Sequence, residues 1–172
     1  MHGFARMPID LVALLRRDHD ELERGLEVLT DPHATAAQIR AALDGVRLGL
    51  LAHSEAEDIV LDRALAAHAM PDRVAAMVAR ARAAHLEEEG ALSALVCAVP
   101  GSPTWRERAQ RLKDLLHEHA LYEEHQLIAA LQRATSADAF ARLAGAFATE
   151  RLRQLAMLQP SAPIYVGDPA AA

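Results

Sequence analysis

A histidine followed four residues later by a glutamate occurs four times in this chain, at His19/Glu23, His53/Glu57, His85/Glu89 and His119/Glu123. Residues four apart lie on one face of a helix, about one turn from each other. With nine histidines and thirteen glutamates in 172 residues, template counting gives only ~0.7 such pairs by chance. The intervals between the four histidines are 34, 32 and 34 residues, so 19 and 85 are 66 apart, as are 53 and 119. That is one helix hairpin per half, used twice. Each histidine falls near the middle of its own apolar-periodic segment, and helix midpoints meet in an up-down-up-down bundle with short loops. The spacing therefore predicts an all-α, antiparallel four-helix bundle with one His/Glu rung from each helix, all at one level of the core.

The rest of the chain fits that plan. Residues 1–9 read as a lead-in, 10–134 as the bundle, 135–159 as an additional C-terminal fifth helix, and 160–172 as an extended or disordered tail with three prolines. Helix 1 carries Val12, Leu15, Leu22, Leu26 and Leu29, and Asp31-Pro32 stops it. Thr35-Ala-Ala-Gln38 is a capping box for a helix reaching about Ala67. Met70-Pro71-Asp72 is the next break. Helix 3 carries Val74, Val78, Ala81, Leu92, Leu95 and Val99, with His85 on this stripe and Glu89 at its edge. Pro100-Gly-Ser-Pro103 is a loop, and Thr104-Trp-Arg-Glu107 is expected to cap helix 4. Its stripe is Leu112, Leu115, Leu116, Leu127, Ala130 and Leu131. Ser136 is expected to cap the fifth helix, with Phe140, Leu143, Phe147, Leu152 and Leu155 on its apolar side.

Several function classes are excluded. The net charge is −6 with no basic run, which argues against a nucleic-acid surface. No stretch is long and apolar enough to span a membrane. The segment Ile9-Asp-Leu-Val-Ala-Leu-Leu15 is too short, and too acidic, for a secretion signal. The single cysteine, Cys97, rules out an intramolecular disulfide and is expected to be a small buried hydrophobe. A cytoplasmic protein, monomeric or homodimeric, is the expectation.

Four imidazoles and up to four carboxylates at one core level are costly to bury without strong partners, and a metal supplies them. Imidazole and carboxylate without thiolate suit iron, manganese or zinc. Up to eight donors (His19, Glu23, His53, Glu57, His85, Glu89, His119 and Glu123) exceed what one small ion needs and match two. His117 and His125 are rotated away from His119 on the helix, Pro71 separates His68 from Asp72, and His2 and His33 fall in turn or loop segments. Tyr122, beside Glu123, either donates to a metal-bound oxygen or packs between helices with its hydroxyl toward water. Asp18, Glu23 and Glu89 are also candidates to accept the second ring N–H of a ligating histidine.

The motifs Asp18-His19-Asp-Glu-Leu, His53-Ser-Glu-Ala-Glu57, His85 and His119-Ala-Leu-Tyr-Glu123-Glu124 resemble those of the hemerythrin-like, or HHE cation-binding, domains over roughly residues 10–134. That resemblance implies two non-haem irons with an oxo or hydroxo bridge, with manganese or zinc as possible substitutes. It implies that His19 and His53 serve one iron, His85 and His119 the other, and that Glu57 and Glu123 bridge them. The oxygen-carrying members have a second histidine four residues on in helix 3, where this chain has Glu89. Their second bridging acid also lies five residues after the helix-4 histidine, against four here. The expectation is therefore handling of a small oxidant (peroxide, nitric oxide or O2), with catalase-, peroxidase- or nitric-oxide-directed activity and an electron donor as partner. The alternative is an iron- or oxygen-responsive sensor or storage module without turnover.

Overall fold

The computed structural model describes residues 10–159, so the expectations for the lead-in before Asp10 and for the tail from Pro160 lie outside the described residues. The order is α1 (Leu11–Thr30), α2 (Ala36–Ala67), α3 (Asp72–Val96), α4 (Pro103–Tyr122), a π-helical turn (Glu123–Leu127), α5 (Ile128–Ala134) and α6 (Ala137–Leu158). The π turn joins α4 to α5 as one continuous rod. No strand occurs among the described residues.

Local chemistry sets the helix ends. Asp10 accepts from the Val12 amide and starts α1. Thr35 and Gln38 form the reciprocal capping box of α2, and the Ser136 side chain accepts from the Ala139 amide to start α6. The expected cap at Thr104 is displaced by two residues. Ser102 accepts from the Trp105 amide, and Pro103 takes the first helical position, where its missing N–H costs nothing. Trp105 thereby enters the first turn, and its buried indole N–H donates to the Leu29 carbonyl at 3.2 Å. Three other expectations are corrected. α3 ends at Val96, so Val99 lies beyond the helix and is exposed. Cys97 at that end is exposed rather than buried. Leu152 faces solvent because α6 turns Phe147 and Ala144 inward instead.

The core has two apolar halves. One contains Leu15, Val60, Ala81 and Leu127, the other Leu22, Leu50, Leu92 and Leu116. Between Leu15 and Leu22 stands His19; between Leu50 and Val60 stand His53 and Glu57. His85 and Glu88 separate Ala81 from Leu92, and His119 and Glu123 separate Leu116 from Leu127. Each successive helix crosses from one half to the other in the opposite direction. This is an up-down-up-down bundle, with a polar layer across its middle. α1 packs on α2 and α4, and α3 on α2 and α4. α6 returns along the outside of α2 and α1. α1 and α2 approach closely at Gly25, where a Cβ would lie 2.5 Å from Val46 Cγ2.

Candidate metal centre

The four midpoint histidines meet. His19, His53, His85 and His119 are each no more than 3% exposed, and so are Glu57 and Glu123. The rings fall into two closer pairs: His19 and His53 have centroids 4.9 Å apart, His85 and His119 4.7 Å. His19–His119, His53–His85 and His53–His119 are wider, at 5.9 to 6.4 Å. Glu123 spans the pairs, one oxygen lying 3.4 Å from His19 Nε2 and the other 3.2 Å from His119 Nε2. Glu57 lies 3.6 Å from His53 Nε2. Two overlapping donor sets are compact enough for a cation, namely His19, His53, His119 and Glu123, and His53, Glu57, His85 and His119.

A carboxylate stands behind each ring. His19 Nδ1 is 3.0 Å from Glu124, and His85 Nδ1 is 3.0 Å from Asp58. His53 Nδ1 is 3.6 Å from Asp18, and His119 Nδ1 is 4.0 Å from Glu88. At the hydrogen-bonding distance of His19 and His85 the carboxylate fixes the proton on Nδ1, and behind His53 and His119 its charge favours the same tautomer, with the Nε2 lone pair facing inward. The four Nε2 atoms and both oxygens of Glu57 and Glu123 are buried without a hydrogen-bond partner among the described residues. Lone pairs on nitrogen thus face lone pairs on oxygen across 3.2 to 3.6 Å. Such an arrangement is unfavourable unless positive charge lies between them.

The titration behaviour shows the same demand, with protons meeting it. Burial and the charge of Glu123 raise the Glu57 carboxyl well above the usual range. Burial would raise Glu123 too, but the charge and contacts of His119, with His19 and Glu57, hold it well below that range. Burial works against a charged His119, yet Glu123 and Glu88 push it up to about 8. Burial pushes His53 down to about 4 despite Asp18. Protons on His119 and Glu57 therefore compensate the carboxylates where no cation does.

Two of the eight residues singled out in the sequence are not brought in. Glu23 leaves the core and meets His117 Nδ1 at the surface, 3.0 Å away, because the inner face of α1 passes through Leu22 and Leu26. Glu89 is only partly buried and outside both donor sets; its neighbour Glu88, fully buried, takes the inward position. Glu88 was legible in the 4–3 spacing of Val74, Val78, Ala81 and His85, which next lands on 88 before Leu92 and Leu95. Asp58 and Glu124 were missed as well; each directly follows a buried glutamate, Glu57 and Glu123. Tyr122 neither faces the centre nor points to water: its hydroxyl donates to the Met77 carbonyl at 3.4 Å, and Arg80 stacks on its ring.

The π turn explains how consecutive acids serve one site. The Ile128 amide bonds to the Glu123 carbonyl, five residues back, so the rod is locally widened. Glu123 thereby reaches His119 and His19 at Nε2, while Glu124 reaches the back of His19 at Nδ1 and pairs with Arg16 at 2.8 Å. Such turns recur at functional sites.

The donor atoms fit a cation: imidazole nitrogens and carboxylates, buried, convergent and otherwise unsatisfied. A family description, the hemerythrin HHE cation-binding domain, matches residues 10–131. Neither the curated proteins nor the solved structures contain a match to the chain. The matched region takes in the whole histidine layer and all but the last residues of the rod that carries Glu123. This chain belongs to the hemerythrin HHE cation-binding domain family.

Proposed function

We propose that this protein holds two iron ions in the histidine layer and uses them on a small oxidant, namely peroxide, nitric oxide or O2. The observation that carries the reading is the set of four Nε2 atoms and two carboxylates, buried and unpartnered, that face one another across the bundle axis. His19 and His53 would serve one ion, His85 and His119 the other, in keeping with the two closer ring pairs. Glu123, whose two oxygens reach one histidine of each pair, would serve both ions. Glu57, beside His53, would be the second bridge.

Iron in that setting supplies one-electron redox chemistry and coordination positions that the protein leaves free. Six protein donors shared between two ions, two of them bridging, leave room for an exogenous ligand, and neither Glu23 nor Glu89 is placed to fill it. Asp58 and Glu124 hold the rings of His85 and His19 at 3.0 Å, Asp18 and Glu88 place negative charge 3.6 and 4.0 Å behind His53 and His119, and both apolar halves of the core keep bulk water away. The helix-3 position where the oxygen carriers have a second histidine holds Glu89, outside both donor sets, and the coordination position so left open supports turnover of an oxidant over reversible oxygen storage.

The test is peroxide decay and nitric oxide consumption by iron-loaded protein against His119→Ala and Glu123→Gln variants matched for folding. Turnover that needs both residues supports the reading. A stable, reversible oxygen adduct with no turnover would overturn it.

A further inference from the structure

Three of the four rings share one pattern, an arginine behind the carboxylate behind the histidine. Arg16 pairs with Glu124 behind His19, and Arg82 pairs with Asp58 behind His85, at 2.8 and 3.2 Å. Both arginines belong to the four-helix unit. Behind His53 the carboxylate is Asp18, 1% exposed, and among the described residues the bundle offers it only Arg17, which stays 4.0 Å away and mostly in solvent. The missing cation comes from α6. Arg151 Nε meets Asp18 Oδ2, and the same guanidinium reaches Glu21 at 3.8 Å. Arg151 is the most buried of the three arginines, at 15% exposure against 53% for Arg16 and 41% for Arg82. Four residues earlier on α6, Phe147 sets its ring edge-on to His53, centroids 5.8 Å apart. α6 lies outside the region that matches the family description.

We propose that Arg151 is a positioning residue of the metal centre: it holds Asp18 against His53 Nδ1, so the helix added to the bundle forms part of the His53 ligand's setting. The inference rests on the metal reading of the histidine layer. The physical cause is the cost of a buried carboxylate without a cation. Beside Asp18 lies a groove of about 200 Å³ between α1, α2 and Arg151, with Gly25, Gly45 and Gly49 in its lining. Without Arg151, Asp18 can rotate into that groove and hydrate. His53 then loses the carboxylate charge 3.6 Å from Nδ1 that favours a proton there and keeps Nε2 free, and a ligand so loosened binds metal less tightly.

The test uses the full chain, stripped of metal and titrated with Co²⁺, whose ligand-field absorption reports the donor set. Arg151→Met is expected to weaken Co²⁺ binding about 10-fold and to shift the absorption bands. Arg151→Lys should restore most of the affinity. Asp18→Asn should weaken binding as much as Arg151→Met, and adding Arg151→Met to Asp18→Asn should change it by less than about 2-fold. If Arg151→Met does not fold, Arg151→Gln carries the same comparison. An unchanged Co²⁺ affinity and spectrum with a lowered urea midpoint would make Arg151 a packing residue and overturn the inference. An equal loss in both backgrounds would do the same. If the unmodified protein takes up no Co²⁺, the metal reading itself fails, an outcome distinct from either.

Discussion

Replacing His53 with leucine should have opposite effects on the metal-free and metal-loaded protein. His53 is fully buried, neither ring nitrogen has a hydrogen-bond partner among the described residues, and burial keeps it neutral with a pKa of about 4. An unsatisfied buried polar group costs about 1–3 kcal/mol. Leucine nearly fills the same volume and removes that cost, and Asp18 keeps its pairing with Arg151. Allowing for imperfect repacking, the metal-free protein should gain about 1–2 kcal/mol. With a urea slope of about 2 kcal/mol/M, the midpoint in chelator rises by roughly 0.5–1 M. With metal present the sign reverses. An ion at about 100 times its dissociation constant adds about 2.7 kcal/mol to the unmodified protein, and a variant lacking a ligand forfeits most of that. Urea titrations of both proteins, with chelator and with added iron or zinc, read both signs. A loss of more than about 1 kcal/mol in the chelated His53→Leu protein would refute the reasoning, because it would mean the ring is hydrogen-bonded and satisfied without a metal.

Other outcomes follow from particular contacts. Gly25→Ala drives a methyl into Val46 and should cost about 1–3 kcal/mol in urea unfolding, whereas Gly90→Ala, exposed on α3 with open space around its Cβ, should gain about 0.5–1 kcal/mol. Thr35→Ala removes the side-chain acceptor of the Gln38 amide, leaves the bond from the residue-35 backbone N–H to Gln38, and should lower stability by about 1 kcal/mol, measured the same way. Metal uptake should release protons at neutral pH, because His119 titrates at about 8 and Glu57 is raised well above the usual carboxyl range. Both must be deprotonated to bind. Apparent affinity therefore climbs as pH rises through about 8 and falls on the acid side, which a pH-indicator titration with Zn²⁺ would show.

Much of this architecture is written in the sequence because it depends on chain length and periodicity. Near-equal spacing of four histidines, each interrupting an apolar stripe, brings their helix midpoints to one level, and there they meet. Side-chain facing within a rung depends on how neighbouring helices rotate, which the pattern leaves open. On α3, Glu88 and Glu89 stand at about −60° and +40° from His85 on a 3.6-residue helix, and the packing of α3 against α2 and α4 selects Glu88. On α1 the same question goes against Glu23, which pairs with His117, while Asp18 turns inward beside His53. The π turn left a faint trace: His119, Glu123, Leu127 and Leu131 succeed one another by fours, a drift that a 3.6-residue helix cannot sustain on one face. The role of Arg151 left none, since its partner Asp18 is 133 residues away and only the folding back of α6 brings them together.

The most direct test of the central claim is metal content per chain, by mass spectrometry on untagged protein purified in air, with an ultraviolet–visible spectrum of the same sample. The account predicts two irons per chain and an oxo-bridge charge-transfer band. Protein that carries no metal, and takes up none after anaerobic iron loading, would contradict it.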